Sequence, residues 1–404
     1  MSYPLISETA LKTVIKGNAY EPHYPFNSSV DLYDIHQFTN GHPFDTYDEL
    51  REKSPIYFQD PPEWDVEPGA WMLTSYKDIM EVSSNPSVFS SQAATGNLIT
   101  LGDPETRHPK LWQTSIDHML NLDGSFHLDL RREHMPFFKP GYVDDLHKKV
   151  EIKIETLLDA IAKVGKSNLV KDLSQQIPIF TLSEILGIPE EDRHKLATWM
   201  EFLELAQYFS AENTKLAQGK SEEMEVDTSM IELFENMIGE MFEYGKHILQ
   251  EKRLNPKDDL LSAIANAELD GAKLSQEYLD GSWLLIIFAG NDTTRNSISG
   301  AIKLLTEFPE QKKKLINNLE LLPNFAQETI RMISPVIHMR RTTTCETKLG
   351  NQRLGKDEKI IMWYGAANRD PSIFSNPNMF DIERENAAKH LAFGMGRHTC
   401  CLLY

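Results

Sequence analysis

Between Ser275 and Pro309 the sequence asks for one helix long enough to cross a whole domain, and no other segment constrains the fold as much. Ser275 is a good N-cap, helical character runs from Gln276 to about Phe308, and Pro309 stops it. At 1.5 Å per residue the rod is on the order of 45–50 Å long. Its most apolar stretch, Trp283 to Ala289, is far too short to cross a bilayer.

The rest of the chain arranges shorter elements around that rod. Residues 1–45 are rich in Pro, Tyr and Asn and read as irregular. Thr46 to Lys53 reads as a short helix. Residues 55–58 and 70–74 read as a β-hairpin, with Pro61, Pro62 and Pro68 in its connection. Ser75 caps a helix over Tyr76–Ser83. From Val143 to about Glu251 the pattern is mainly helical, with clear spacing in Ile152, Ile154, Leu157, Leu158 and Ile161 and again over Met230–Leu249. Ala211–Asp227 is polar and reads as a mobile connection. A helix covers Phe325–Ile333 before Pro335, and Lys348–Tyr364 has strand character with a turn at Gly350–Asn351. The expectation is a mainly α fold with a small β lobe (α+β), in a single domain over residues 1–404.

Charge and cysteine content narrow the partners and the compartment. Lys plus Arg is 41 against 60 Asp plus Glu, a formal charge of −19, which disfavours nucleic acid and anionic membrane surfaces. The three cysteines, Cys345, Cys400 and Cys401, are too few for a disulfide framework, so a reducing cytoplasm fits best. The N-terminus lacks the apolar core of a signal peptide, and no membrane anchor is expected.

Chemistry concentrates in two short stretches. In Phe393-Gly394-Met395-Gly396-Arg397-His398-Thr399-Cys400 the glycines permit a tight turn with positive φ and close approach to a flat ligand. The cysteine follows as a presented thiolate, a ligand that donates electron density to iron. A single cysteine taken alone reads more readily as a buried structural residue. In Ala289-Gly290-Asn291-Asp292-Thr293-Thr294 a glycine sits mid-helix at a cost of about 1 kcal/mol. Space for dioxygen beside a cofactor would explain it; so would helix packing. Thr293 lies four residues after Ala289, so its hydroxyl reaches the Ala289 carbonyl, and Asp292 is a candidate proton relay. Glu328 and Arg331 are adjacent on a helix face and in isolation read as a solvated pair.

Together these motifs resemble the cytochrome P-450 family, the haem-thiolate monooxygenases, from about residue 40 to the C-terminus. The resemblance implies that Cys400 ligates the iron of haem b, with Phe393, Gly396, Ala289 and Gly290 beside the cofactor. It implies that Asp292 and Thr293 are catalytic and that Glu328, Arg331 and Arg384 form a buried structural network. It further implies propionate donors at His127, Arg131, Arg341 and His398. Asn368-Arg369-Asp370-Pro371 falls in the family's order between Glu328 and the cysteine loop. Local wording at residues 290–297, 338–342 and 362–364 looks most like soluble bacterial branches that hydroxylate alkanes, fatty acids or steroid side chains.

What the resemblance implies in function is insertion of one oxygen atom from dioxygen into a C–H bond of a lipophilic substrate, an alkane, fatty acid, steroid or terpenoid. Electrons would come from NAD(P)H through a ferredoxin-type or flavin redox partner to a cytoplasmic monomer. Leu98, Leu101, Leu285, Phe288, Ile337, His338 and Met339 are the candidate substrate-pocket residues. The family places glycine two residues after the ligand, where this chain has Leu402. The expected fold therefore lacks the last helix and terminal sheet, as a truncation or reading-frame error after Cys400 would produce. The alternatives are a haem-binding but inactive remnant and a helical ligand-binding protein without haem.

Overall fold

A computed structural model describes residues 30–60, 69–92, 109–114, 117–203, 228–269 and 271–401. The prolines of the hairpin connection, Leu98, Leu101, the segment 211–227, residues 1–29 and Leu402–Tyr404 lie outside the described residues. The chain divides into two compact units, one built within residues 101–295, the other from residues before 101 together with those after 295.

The first unit is helical, apart from a two-stranded ribbon of β4 (Glu268–Leu269) and β5 (Ala272–Lys273). Its helices include Gly124–His134, Pro140–Val164, Gln176–Leu186, Thr228–Leu254 and Gln276–Ala289. In Pro140–Val164 the spacing read from sequence resolves into two sides. Ile154, Leu157 and Ile161, at i, i+3 and i+7, are half-buried, whereas Ile152 and Leu158 are exposed. Helix Gln276–Ala289 sets its core: the Trp283 ring meets Trp199 edge-on at 6.2 Å, and its Nε1–H donates to the Met241 carbonyl at 3.0 Å.

The single rod expected from Gln276 to Phe308 is two helices, Gln276–Ala289 and Asp292–Glu307, broken at Gly290 and Asn291. The second of them ends at Glu307, just before Pro309, as read, and Pro309 then opens a separate helix, Pro309–Asn317, at its first turn, where the missing N–H costs nothing. Ser275 is the N-cap residue, as read, but its hydroxyl makes no capping bond. Ser75 does cap Tyr76–Ser84, its Oγ accepting from the Asp78 N–H at 3.1 Å.

The second unit holds a five-stranded sheet in the order β1-β2-β9-β6-β3. β1 (Ile56–Gln59) and β2 (Ala70–Leu73) form the antiparallel hairpin, and β2 pairs in parallel with β9 (Lys359–Trp363). β9 then pairs antiparallel with β6 (His338–Thr343), and β6 with β3 (Phe89–Ser90). Every residue of β9 is buried, so Ile360, Met362, Trp71 and Leu73 share one apolar core with Ile79 and Val82 of helix Tyr76–Ser84. A separate ribbon joins β7 (Thr347–Leu349) to β8 (Gln352–Leu354) across the predicted turn.

Candidate haem-thiolate site

The cysteine loop is built by its glycines. Gly394 and Gly396 stand at φ 70° and 74°, a region that residues with a Cβ rarely adopt. At Gly396 a Cβ would also lie 2.7 Å from the Ser83 carbonyl oxygen, so the loop rests backbone to backbone on the end of helix Tyr76–Ser84. The Cys400 N–H donates to the Phe393 carbonyl at 2.8 Å and closes the loop. Phe393 packs its ring 5.3 Å from that of His390, and His398 ends the short turn Gly396–His398. Phe393, His398 and Cys400 are each half-buried.

Behind this loop lies a buried polar network. Arg331 grips Glu328 with two parallel hydrogen bonds, Nε to Oε2 at 2.7 Å and Nη2 to Oε1 at 2.8 Å, and neither residue is exposed at all. Arg384 Nε donates to the same Oε1 at 3.0 Å, as does the Asp381 N–H. Two guanidiniums thus share one carboxylate. Their remaining N–H groups go to backbone carbonyls: Arg331 to Asn368 and Pro377, Arg384 to Ser375, Asn376 and Met379.

Asn368, which sequence reasoning named only as part of a motif, joins this network to the cysteine loop. It is fully buried. Its carbonyl accepts from Arg331, its Nδ2 donates to Ser334 Oγ at 2.8 Å, and its Oδ1 accepts from the Leu391 N–H at 2.6 Å. Arg369 adds bonds to the Met332 and Pro377 carbonyls and stacks over Phe44. β6 presents Arg341, 3% exposed, whose Nη1 donates to the Arg340 carbonyl at 2.7 Å. His338 and Met339 begin that strand, with Ile337 just before it, and burial pulls His338 down to about 4, so its ring is neutral near pH 7.

The helical unit carries the other candidates. His127, buried, and Arg131, half-buried, lie one turn apart on helix Gly124–His134. At the helix break the Thr293 hydroxyl donates to the Ala289 carbonyl at 3.3 Å. Asp292 pairs with Arg295, a partner the sequence reading did not name. Gly290 sits against Leu182, whose Cδ1 would be 2.8 Å from an added Cβ, so close packing is an observed reason for this glycine. Ala289 and Phe288 are exposed and Leu285 half-buried. A cavity of about 140 Å³ is lined by Met200, Leu203, Ile287, Phe288, Asn291, Asp292 and Arg295. A larger polar cavity of about 290 Å³, with Lys110, Asp117, Lys246 and Asp280 among its walls, holds none of the predicted site residues.

The chemistry of the donors suits a haem. A sulfur on a glycine turn is a ligand for iron, and imidazole and guanidinium groups are the donors that two propionates require. The Cytochrome P-450 family model matches residues 87–401. Linalool 8-monooxygenase of Pseudomonas putida is 31% identical over 371 residues, covering 92% of this chain and 86% of that protein. A methyl-branched lipid omega-hydroxylase of Mycobacterium bovis is 29% identical, covering 98% of this chain and 88% of that protein. Among solved structures, a Mycobacterium marinum cytochrome P-450 in complex with pseudoionone superposes with a TM-score of 0.81 at 28% identity, covering 94% and 89% of the two chains. The chain belongs to the cytochrome P-450 family and is a haem monooxygenase of bacterial type. Among the described residues no helix is long and apolar enough to cross a membrane.

Proposed function

We propose that this chain hydroxylates a lipophilic substrate, a terpenoid, fatty acid, alkane or steroid, as a single catalytic domain holding haem b through the Cys400 thiolate. The observation that carries the reading is the closed glycine loop, which ends in Cys400 and rests on Ser83. When bound, the haem supplies the oxidative chemistry; the protein holds it, orients the substrate and moves protons. Arg341, His398, His127 and Arg131 hold the propionates. Thr293, bonded to the Ala289 carbonyl, and Asp292, held by Arg295, deliver protons. Electrons come from NAD(P)H through a ferredoxin-type or flavin partner.

The substrate class is supported by what the relatives' names say of them: linalool, a methyl-branched lipid and pseudoionone are all largely apolar. The exposed Phe288 and the half-buried Leu285 and Met339 are apolar surfaces of the kind such a ligand covers. Replacing each cysteine in turn by serine and recording the carbon monoxide spectrum of the reduced protein tests the axial assignment. Thiolate character is expected to vanish in Cys400→Ser and to survive in Cys345→Ser and Cys401→Ser. Thiolate character persisting in Cys400→Ser sinks it.

A further inference from the structure

Within the second unit a run of aromatic side chains joins the strands beside the cysteine loop to helix Phe44–Lys53. Trp363, buried at the end of β9, is paired across the sheet with His338, and the two ring centroids are 4.9 Å apart. The next residue, Tyr364, reaches the cysteine loop: a Cβ placed on Gly394 would lie 3.6 Å from its hydroxyl. Burial pushes the Tyr364 phenol up and the Arg341 charge opposes it, so that hydroxyl stands near both the loop and Arg341. In the other direction Trp363 stacks on Phe38 at 5.6 Å and meets the fully buried ring of Tyr47 at 5.9 Å. The Tyr47 hydroxyl in turn lies 3.4 Å from His42 Nδ1. The far side of the imidazole fixes the direction of that bond. His42 Nε2 lies 3.2 Å from the Ile333 carbonyl and 3.0 Å from the Ser334 carbonyl; carbonyls only accept, so Nε2 carries the hydrogen and donates. Burial holds His42 below its ordinary value and so keeps the ring neutral, which leaves the Nδ1 lone pair to accept from Tyr47.

We propose that Trp363, Tyr47 and His42 form an electron relay, which drains surplus oxidising equivalents from the Cys400 site when activated dioxygen meets no substrate. Tryptophan and tyrosine rings give up an electron more readily than other side chains, and here the two lie in contact. One electron passes from Tyr47 through the Trp363 ring to the oxidised site. Loss of that electron makes the phenol proton strongly acidic, and it moves along the existing hydrogen bond to His42 Nδ1. A neutral tyrosyl radical and an imidazolium remain. A soluble one-electron donor of the ascorbate class then supplies an electron to the radical, and the proton returns from His42, so nothing in the chain is consumed. His42 and Phe38 are half-buried, so this end of the run is within reach of such a donor. Burial pushes the Tyr47 phenol up, so it keeps its proton until an electron is withdrawn. This inference rests on the reading of Cys400 as the haem ligand, and it adds a use for residues outside the hydroxylation machinery.

The test uses the haem-loaded full chain, first checked for thiolate ligation by its reduced carbon monoxide spectrum. Without substrate it is mixed with an organic peracid, frozen at once and measured by electron paramagnetic resonance. A tyrosyl radical is expected in the wild type. It should be lost in Tyr47→Phe, which keeps the ring, in His42→Leu, which removes the proton acceptor, and in Trp363→Phe, which keeps the packing but resists oxidation. Under peracid the haem of these variants should bleach faster than that of the wild type, and ascorbate should slow bleaching in the wild type alone. A radical of full strength in Tyr47→Phe overturns the inference, as do bleaching rates equal to wild type in all three variants. A lowered Tm in His42→Leu with the radical intact overturns it too, and makes the Tyr47–His42 bond a tie between helix ends. A thiolate spectrum with no radical in the wild type overturns this inference alone. A wild type without a thiolate spectrum fails the haem reading, and the relay fails with it.

Discussion

At the scale of single residues, the positions that matter most are those whose partners are backbone groups. Glu328 and Arg331 announce themselves in sequence by their spacing, since i and i+3 are neighbours on a helix. Their burial does not, because it depends on carbonyls of residues 368–379 that carry no side-chain signature. Asn368 is hidden for the same reason, although its three polar groups are all engaged. Asn368→Leu should cost about 1–3 kcal/mol, chiefly through the unpaired Leu391 N–H, since the Ser334 hydroxyl still donates to the Arg331 carbonyl. It should also raise the share of neutral thiol in the reduced carbon monoxide spectrum, because Leu391 leads into the cysteine loop. A stability loss with an unchanged spectrum would confine Asn368 to a structural part. Thr293→Ala removes the hydroxyl bonded to Ala289. Product formed per NADH consumed is expected to fall roughly tenfold, with peroxide making up the difference; unchanged coupling would remove Thr293 from proton delivery.

At the scale of elements, local signals were legible and long-range ones were not. Ser75 before an apolar period and Pro335 after one mark helix ends through the backbone alone, and the structure has Tyr76–Ser84 and Leu322–Ile333 there. The hairpin of β1 and β2 was readable from two apolar runs flanking prolines. The parallel pairing of β2 with β9 was not, because nothing in either strand names a partner so far along the chain. The break at Gly290 and Asn291 also escaped. Each residue costs under about 1 kcal/mol inside a helix, too little to decide against continuity without the packing on Leu182. The glycine loop gives the sharpest prediction at this scale. Gly396→Ala places a Cβ at φ 74° and 2.7 Å from the Ser83 oxygen, so the loop or the helix end must move. The expected cost is about 1–3 kcal/mol from the strained φ alone, read as a lowered Tm together with weakened haem retention. A variant as stable as wild type that retains haem fully would show the loop to be pliable.

For the molecule as a whole, buried histidines set an acid limit. His134 and His390 are each 6% exposed, and burial lowers both to about 4 from the ordinary 6.5, with the nearby Arg131 and Arg331 charges adding to it. Between about pH 6.5 and 4 the unfolded chain binds protons at these positions that the folded chain refuses. Stability therefore falls as pH drops through that window and is fully present above it. Tm measured across this range should decline, and the decline should be shallower in a His134→Gln, His390→Gln double variant. Parallel curves for the two proteins would move the acid sensitivity to other groups.

The pairing of β2 with β9 also has a consequence for how the chain is made. Trp71 lies beside Ile360, nearly 290 residues later in synthesis. At about 5–20 residues per second a ribosome takes roughly 15–60 s to cover that interval. Throughout it the apolar edge of the nascent hairpin has no strand to meet, and such open edges pair readily with other chains. Shielding of residues 70–73 during translation is therefore expected to raise the yield of folded protein. Slower growth temperature lengthens the wait, whereas added holding chaperones cover it, so yield should respond more to the second than to the first.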